Sequence, residues 1–470
     1  MTHVHPTRDD GVVATLSEVV GGPVGDHAGP RRGAGVGVLG VLLAITALTF
    51  ALGMVSKSVC ADDGWSVTDA SRYTHACVSH VPDAYSGNGL VELAWPWSGD
   101  RETRVRYPVT EEPAAVGLWT YAAARVTQVL SGSPDVGARY DQSSAVLAES
   151  DDVDAERRLF VAVNAVGLAL LALVATAALA AAHRRRPWDA AVLAAAPVLA
   201  FTGVVSWDLL PVAAVAGALW AWSRERTVLA GALVGVGAAA GVWPVLLLLA
   251  FALGCLRDRR PAALLPPLVT ATAAWAALNA PAFLTGRPQW ERFWQAAWER
   301  GPDEGSIWTV VAQTSGLTRD VGLPVAWMLI GLWVLGVTAL VLLAPVRPRL
   351  SQVALLLVAG VLLLGLSYEP QQALWLLPLA ALAHPRWRDV LVWQAGEVVY
   401  FAMSWWWRGD LLSSGADTGP RFYWLAIAVH VAGTLWLVAM VVRAVWWPED
   451  DVVRRGEATD GADADQPVLV

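Results

Sequence analysis

Residues 159–182 read LFVAVNAVGLALLALVATAALAAA, and His183-Arg184-Arg185-Arg186 follow at once. A helix needs roughly 20 apolar residues to cross the ~30 Å hydrocarbon core of a bilayer, and this run supplies them. The arginines at its end mark the cytoplasmic side. The reading sets the fold class as an all-α polytopic membrane protein. Further apolar runs lie at residues 34–55, 190–205, 209–222, 228–240, 243–256, 263–280, 321–344, 352–366, 373–383, 390–405 and 422–442. Together they predict a bundle of about twelve transmembrane helices. The short runs 228–240 and 243–256 predict a hairpin around Gly241 and Pro244 that does not cross fully.

The composition agrees. Hydrophobic residues are 56% of the 470, charged residues 16%, and mean hydropathy is +0.47. A soluble domain is about 45–50% apolar and about 25% charged, so this chain has too little polar surface to cover one. Of 33 basic residues only Lys57 is lysine, and there are 3 cysteines and 26 tryptophans. A disulfide-rich secreted scaffold, a disordered chain and a basic-faced nucleic-acid binder are excluded.

Arginine placement sets the topology. Arg184 to Arg186, Arg224, Arg226, Arg257, Arg259, Arg260, Arg347, Arg349, Arg386 and Arg388 fall in alternate connections, which are therefore expected inside. Arg31 and Arg32 precede the first run, too far along for an ordinary signal peptide. The expectation is a multi-pass plasma-membrane protein with both termini cytoplasmic. Residues 1–33 are read as a disordered tail, 34–445 as the transmembrane domain, and 446–470 as a disordered acidic tail. Residues 56–157 then form a long first extracytoplasmic loop. It holds 16 acidic against 8 basic residues, a net of −8 that equals the formal charge of the whole chain. Within it, residues 114–130 with Arg125 and Gln128 predict an amphipathic helix at the outer interface. Cys60 and Cys77 are a disulfide candidate in an oxidising compartment, against the alternative of two free thiols. Cys255 reads as an apolar filler.

Charge at membrane depth is costly, so polar residues there are functional candidates. Asp208, Trp243, Asn279, Arg300, Asp303, Glu369 and Gln371 come from different connections, yet all are expected near the outer face. Asn279 is read as a helix end opening a loop over residues 287–320. Bland readings stand beside these. Asp208 fits a helix N-cap, Glu397 a helix–helix hydrogen bond, His430 simple packing, and most tryptophans interface anchors. Gly231 and Gly235 form a G-x-x-x-G suited to close helix packing. P-loop, H-E-x-x-H and paired C-x-x-C motifs are absent, and the histidines show no ligand spacing, so no metal site is expected.

Several short stretches carry a resemblance. They are Tyr107-Pro108-Val109, Arg186-Pro187-Trp188-Asp189, Ser206-Trp207-Asp208-Leu209-Leu210, Asn279-Ala280-Pro281, Arg300-Gly301-Pro302-Asp303-Glu304-Gly305-Ser306-Ile307-Trp308 and Pro370-Gln371 followed by Leu374-Trp375-Leu376-Leu377-Pro378. In order and placement the chain resembles actinobacterial membrane glycosyltransferases of the GT-C class, glycosyltransferase family 87, over about residues 34–445. The resemblance implies an inverting hexosyltransferase, mannosyltransferase-like. Its donor would be a polyprenyl-phosphate sugar, its acceptor a cell-envelope glycolipid or glycan, with no other cofactor. Its partners would be lipid-linked sugar and membrane lipid, not nucleic acid. A carboxylate of the first outer loop would serve as general base, and arginine would hold the leaving phosphate.

The sequence departs from the family pattern at three places. Where relatives read Cys-Tyr-Ser-Asp-Ile-Pro, this chain reads Cys77-Val78-Ser79-His80-Val81-Pro82. His80 thus stands in the base position, with Asp83 three residues on as the other catalytic candidate. Gly241 stands where relatives often carry lysine, and Ser367-Tyr368-Glu369 where they usually have Asn-Lys and a polar pair. Tyr107, Trp207, Asp208, Trp243, Asn279, Arg300, Asp303, Glu369 and Gln371 are the substrate-binding candidates. The departures motivate an alternative, a catalytically degenerate relative that binds lipid-linked sugar or scaffolds envelope assembly. A transporter or flippase for lipid-linked sugar is a third reading.

Overall fold

The computed structural model describes residues 37–62, 65, 71–108, 111–183, 185–303, 305–412 and 420–459. The tail expected over residues 1–33 lies outside the described residues. Two compact units divide the chain, residues 1–41 and 42–470. Of the first, only residues 37–41 are described, at the start of the helix Val38–Val55. The second unit holds every other described element.

Among the described residues every regular element is a helix. Five helical segments are long and apolar enough to cross a membrane: Val38–Val55, Asp151–Ala182, Pro261–Glu299, Arg319–Leu343 and Arg421–Trp446. Leu209–Ser223, Thr227–Ala240, Val245–Arg257 and Leu350–Leu364 are shorter apolar helices. Among the described residues these helices do not confirm the count of about twelve spans. The run at 190–205 is not one helix but a chain of pieces: Pro187–Ala190, Ala191–Ala194 and Pro197–Thr202. Pro197 lacks the N–H that would carry a helix on and disfavours helical backbone before it. Likewise the run at 373–383 splits into the 3-10 segment Pro370–Trp375 and the seven-residue helix Leu377–Ala383.

Three further expectations are corrected. Asn279 does not end a helix. The helix runs from Leu265 to Glu299 with a break at Gly286 (φ −165°, ψ 71°), so much of the expected loop 287–320 is helical. Pro281 and Pro288 lie inside it, and Thr285 returns its hydroxyl to the Pro281 carbonyl at 2.7 Å. The tail is not disordered from residue 446. Residues 448–450 form a 3-10 turn and Val452–Thr459 a helix. The anchor is Asp451, fully buried against Arg349 at 2.9 Å. Residues 460–470 lie outside the described set. The third concerns Gln128 on the helix Ala114–Leu130. It is buried and donates to the Val91 carbonyl at 2.8 Å, while Arg125 on the same helix is exposed.

The core follows the small residues. Helix Asp151–Ala182 packs on Leu209–Ser223 and on Ala114–Leu130, and Leu209–Ser223 packs on Thr227–Ala240. The G-x-x-x-G then faces Leu265–Glu299. A Cβ on Gly231 would lie 2.2 Å from the Pro267 carbonyl oxygen, and one on Gly235 2.2 Å from that of Ala271. Only glycine permits backbones that close.

The helix ends sort by charge. Arg224 donates to the Ala181 carbonyl, Arg349 to those of Leu382 and Ala383, and Arg257 to those of Val341, Leu342 and Ala344. These arginines satisfy carbonyls that a helix C-terminus leaves unpaired, and meet its negative dipole end. Asp208 stands at the other end of Leu209–Ser223. Its 15 residues rise about 22 Å, less than the ~30 Å hydrocarbon core. Asp208 and Arg224 are therefore closer than a full span would set them.

Candidate functional site

The site begins with the segment after Cys77. A disulfide joins Cys60 to Cys77, with their Cα atoms 6.1 Å apart. Lys57, the sole lysine, is buried and donates to the Ala76 and Val78 carbonyls at 3.4 and 3.3 Å, its ammonium 5.2 Å from the Phe401 ring. Burial lowers its pKa to about 7. Ser79 caps the helix His80–Gly87 by accepting from the Val81 N–H. Its hydroxyl donates to the Val204 carbonyl at 2.6 Å, and the His80 N–H to that of Val205 at 2.8 Å. These contacts fix the helix start against the residues that lead into Ser206-Trp207-Asp208.

His80 and Asp83 are three apart, on one face of that helix. The Asp83 carboxylate accepts from Arg72 at 3.3 Å. Burial pushes the His80 imidazole below its ordinary pKa, against the opposing pull of the Glu369 and Asp83 carboxylates. The ring is therefore neutral at physiological pH, the form that accepts a proton.

Asp208 holds the N-cap position of Leu209–Ser223, but its side chain makes no capping bond. It accepts instead from the Trp375 indole at 2.6 Å and from the Ser206 hydroxyl. Burial raises its pKa to about 6; Ser206 and Trp375 oppose the rise, and nearby Glu369 adds to it. Trp375 in turn stacks on Trp243, centroids 5.4 Å apart and planes 14° from parallel. Trp207 turns away and donates to the Asn164 side-chain oxygen at 2.9 Å, which also accepts from Trp119.

Glu369 is the hub. Its carboxylate accepts from the Gln371 amide and lies 3.8 Å from the half-exposed Arg300. Its charge also reaches His80 and Asp208. The segment with Arg300 and Asp303 is brought here by backbone contacts. The Asp303 N–H donates to the Leu366 carbonyl at 2.7 Å. Gly305 has φ +80°, and a Cβ there would fall 2.0 Å from the Tyr368 carbonyl oxygen. Glu304 lies outside the described residues.

Beneath these two segments is a buried polar network. Glu397 accepts from Tyr368 at 2.8 Å and from Trp393 and Thr434 at 3.0 Å. His430 lies 3.3 Å from Glu397 and 2.8 Å from the Gly305 carbonyl oxygen. The readings of Glu397 as a helix–helix partner and of His430 as packing therefore understate them, since both help hold the connections that carry Glu369 and Asp303.

Contacts join Asp208 to Trp375 and so to Trp243, and Glu369 to Gln371 and Arg300, while the Glu369 charge acts on His80 and Asp208 and Asp83 pairs with Arg72. The structure gives Asn279 and Tyr107 other surroundings. Asn279 accepts from Trp290 at 2.8 Å and donates to the Trp275 carbonyl. Tyr107 is buried under Arg106, against Gly89. Val109, in the stretch quoted with Tyr107, lies outside the described residues. Sequence reasoning misses Trp375, Ser206 and Tyr368 as site residues. The signal is present, since all three lie within or beside the quoted stretches. Among the described residues no three His, Cys, Asp or Glu side chains are grouped to hold a metal.

No curated protein matches the chain. Residues 146–367 match the model of glycosyltransferase family 87. That stretch contains Asp208, Trp243, Asn279, Arg300 and Asp303, begins after His80 and ends before Glu369. This match, over just under half of the chain, together with the helices of spanning length, supports placing the chain in glycosyltransferase family 87 as a membrane glycosyltransferase.

Proposed function

We propose that the chain transfers a sugar, with mannose the preferred candidate, from a polyprenyl-phosphate donor to a hydroxyl of a cell-envelope glycolipid or glycan. Transfer takes place at the outer face of the plasma membrane. The observation that carries the reading is that the Glu369 charge acts on both His80 and Asp208, with Arg300 3.8 Å from the same carboxylate. A neutral base, a recessed carboxylate and a half-exposed cation are the parts such a transfer needs.

His80 takes the proton of the acceptor hydroxyl. The oxygen attacks the anomeric carbon from the face opposite the phosphate, and the configuration inverts. The carbon–oxygen bond to phosphate breaks, and polyprenyl phosphate leaves. Glu369 stabilises the imidazolium that forms, while Arg300 meets the phosphate charge with its planar donors. His80 is favoured over Asp83 because Asp83 is engaged by Arg72. Asp208, in its ionised form, accepts from a substrate hydroxyl. The lipid-linked sugar is the sole co-substrate. The test is transfer from radiolabelled polyprenyl-phosphate-mannose in membranes bearing the full chain, which His80→Asn should abolish and Asp83→Asn should leave.

A second reading, the non-catalytic relative, is favoured by Gly241. A Cβ there meets only ordinary contacts, 3.6 Å from Pro211 and from Trp243. The backbone there would accept a Cβ, and this chain lacks the cation that related chains often carry. Under this reading the natural chain is inactive, and His80→Asp with Gly241→Lys creates transfer.

A further inference from the structure

Two side chains at this site are more than nine-tenths buried yet leave a polar atom without a partner. Trp243 is 5% exposed and its indole N–H has no acceptor; Gln371 is 6% exposed and its amide oxygen has no donor. The Ser367 hydroxyl, two residues before Glu369, is a third unpaired atom. Buried polar groups are almost always paired, and one left unmet is costly. These flank the reacting cluster. Trp243 stacks on Trp375, which holds Asp208. Gln371 opens the same Pro370–Trp375 segment and spends its amide nitrogen on Glu369.

The chemistry of the unmet bonds selects the ligand. An indole N–H only donates, and an amide oxygen only accepts. A carboxylate or phosphate would satisfy the indole and repel the amide oxygen. An ammonium would do the reverse. A hydroxyl both accepts and donates, so one kind of ligand group meets both. We infer that Trp243 and Gln371 form a hydroxyl-recognising subsite for a pyranose ring, and that it sets which sugar the site takes. The inference rests on the proposed function in that the ligand is a sugar, but it concerns binding and not transfer. A water molecule has the same donor and acceptor capacity, and the experiment separates it from a sugar.

The experiment is equilibrium binding to the full chain in lipid nanodiscs. One arm uses radiolabelled short-chain polyprenyl-phosphate-mannose and each of its monodeoxy forms. The other uses an alkyl mannoside and its monodeoxy forms, as a probe of the acceptor side. In one arm, the native chain should bind at least one monodeoxy form about tenfold more weakly than the parent, the worth of one well-made hydrogen bond. Trp243→Phe keeps the stacked ring and removes the N–H; Gln371→Met keeps the length and removes the oxygen, together with the amide N–H that Glu369 accepts. Each should erase the difference for its own deoxy form and leave the others. Both variants are first checked for native elution and melting, and either alone suffices if the other fails to fold. Equal binding of all deoxy forms, as expected if water fills the subsite, overturns the inference. So does discrimination that survives both variants, or absence of binding in both arms. Discrimination without any sugar transfer leaves the inference standing and counts against the proposed activity alone.

Discussion

Trp375 donates its indole N–H to the Asp208 carboxylate at 2.6 Å, joining two segments 167 residues apart. Asp208 ends a connection that the segment after Cys77 is pinned to through Ser79 and His80. Trp375 ends the segment that starts at Glu369. The bond therefore ties the proposed base and the proposed phosphate-binding side of the site together.

Removing that donor changes the acid side of the pH profile. Burial holds Asp208 at about 6, and the Trp375 bond favours its ionised form. Trp375→Phe raises the pKa further, so the acidic limb of the transfer rate moves to higher pH. Stability gives an independent check. The folded pKa lies above the ordinary value of 3.8, so ionising Asp208 costs stability. The contribution is present below pH ~4 and lost as pH rises through ~6. Asp208→Asn removes that slope, as read by thermal unfolding at a series of pH values.

Glu397 is the acceptor for Tyr368, Trp393 and Thr434 and lies beside His430. Glu397→Leu leaves those groups buried and unmet. Losing one member of such a network costs about 3–5 kcal/mol, so thermal stability in detergent falls steeply. Glu397→Gln keeps an acceptor oxygen and falls less. Equal melting of both variants and the native chain would show that the network carries no stability.

Much of this site was legible because its residues break the apolar pattern. Asp208, Glu369 and Gln371 are polar groups where the sequence is otherwise apolar, beside the ends of apolar runs, whereas Arg300 lies in a charged stretch that the pattern leaves as a loop. The helices Ala114–Leu130 and Asp151–Ala182 followed from periodicity and run length for the same reason. What the pattern hid were features set by tertiary contact. Asn279 read as a helix end, yet the helix continues past it and Pro281 to the break at Gly286. Asp451 read as one acid in a solvated tail, but its partner Arg349 is 102 residues away. Arg224, Arg257 and Arg349 read as topology signals and also cap helix C-termini, a use that no spacing in the sequence reveals.

Gly305→Ala should fail differently from a core truncation. The left-handed backbone alone costs about 1–3 kcal/mol in a non-glycine residue, and the new methyl would meet the Tyr368 carbonyl oxygen at 2.0 Å. The segment carrying Arg300 and Asp303 has to move off the one carrying Glu369. Folded protein, if recovered, should show a raised KM for the donor. Native yield and native KM would contradict the contact.

Cys60 and Cys77 close a loop over a sequence separation of 17. A loop of this size is worth about 3 kcal/mol against the unfolded chain. Cys77→Ser, or reduction of the native protein, should lower the melting temperature. It should also depress transfer, because Val78 and His80 lose their anchor. Unchanged melting under reducing conditions would mean that Lys57 and Ser79 suffice to hold the segment.

The assignment of His80 as the base of a sugar transfer stands or falls on one assay. It follows radiolabelled mannose from polyprenyl-phosphate-mannose into lipid or glycan, in membranes bearing the native chain, His80→Asn or Asp83→Asn. The native chain and Asp83→Asn should transfer above empty-vector membranes. His80→Asn should lose at least about 100-fold, the scale of a general base. Absence of transfer by the native chain beside an active family member, or full transfer by His80→Asn, would contradict the assignment.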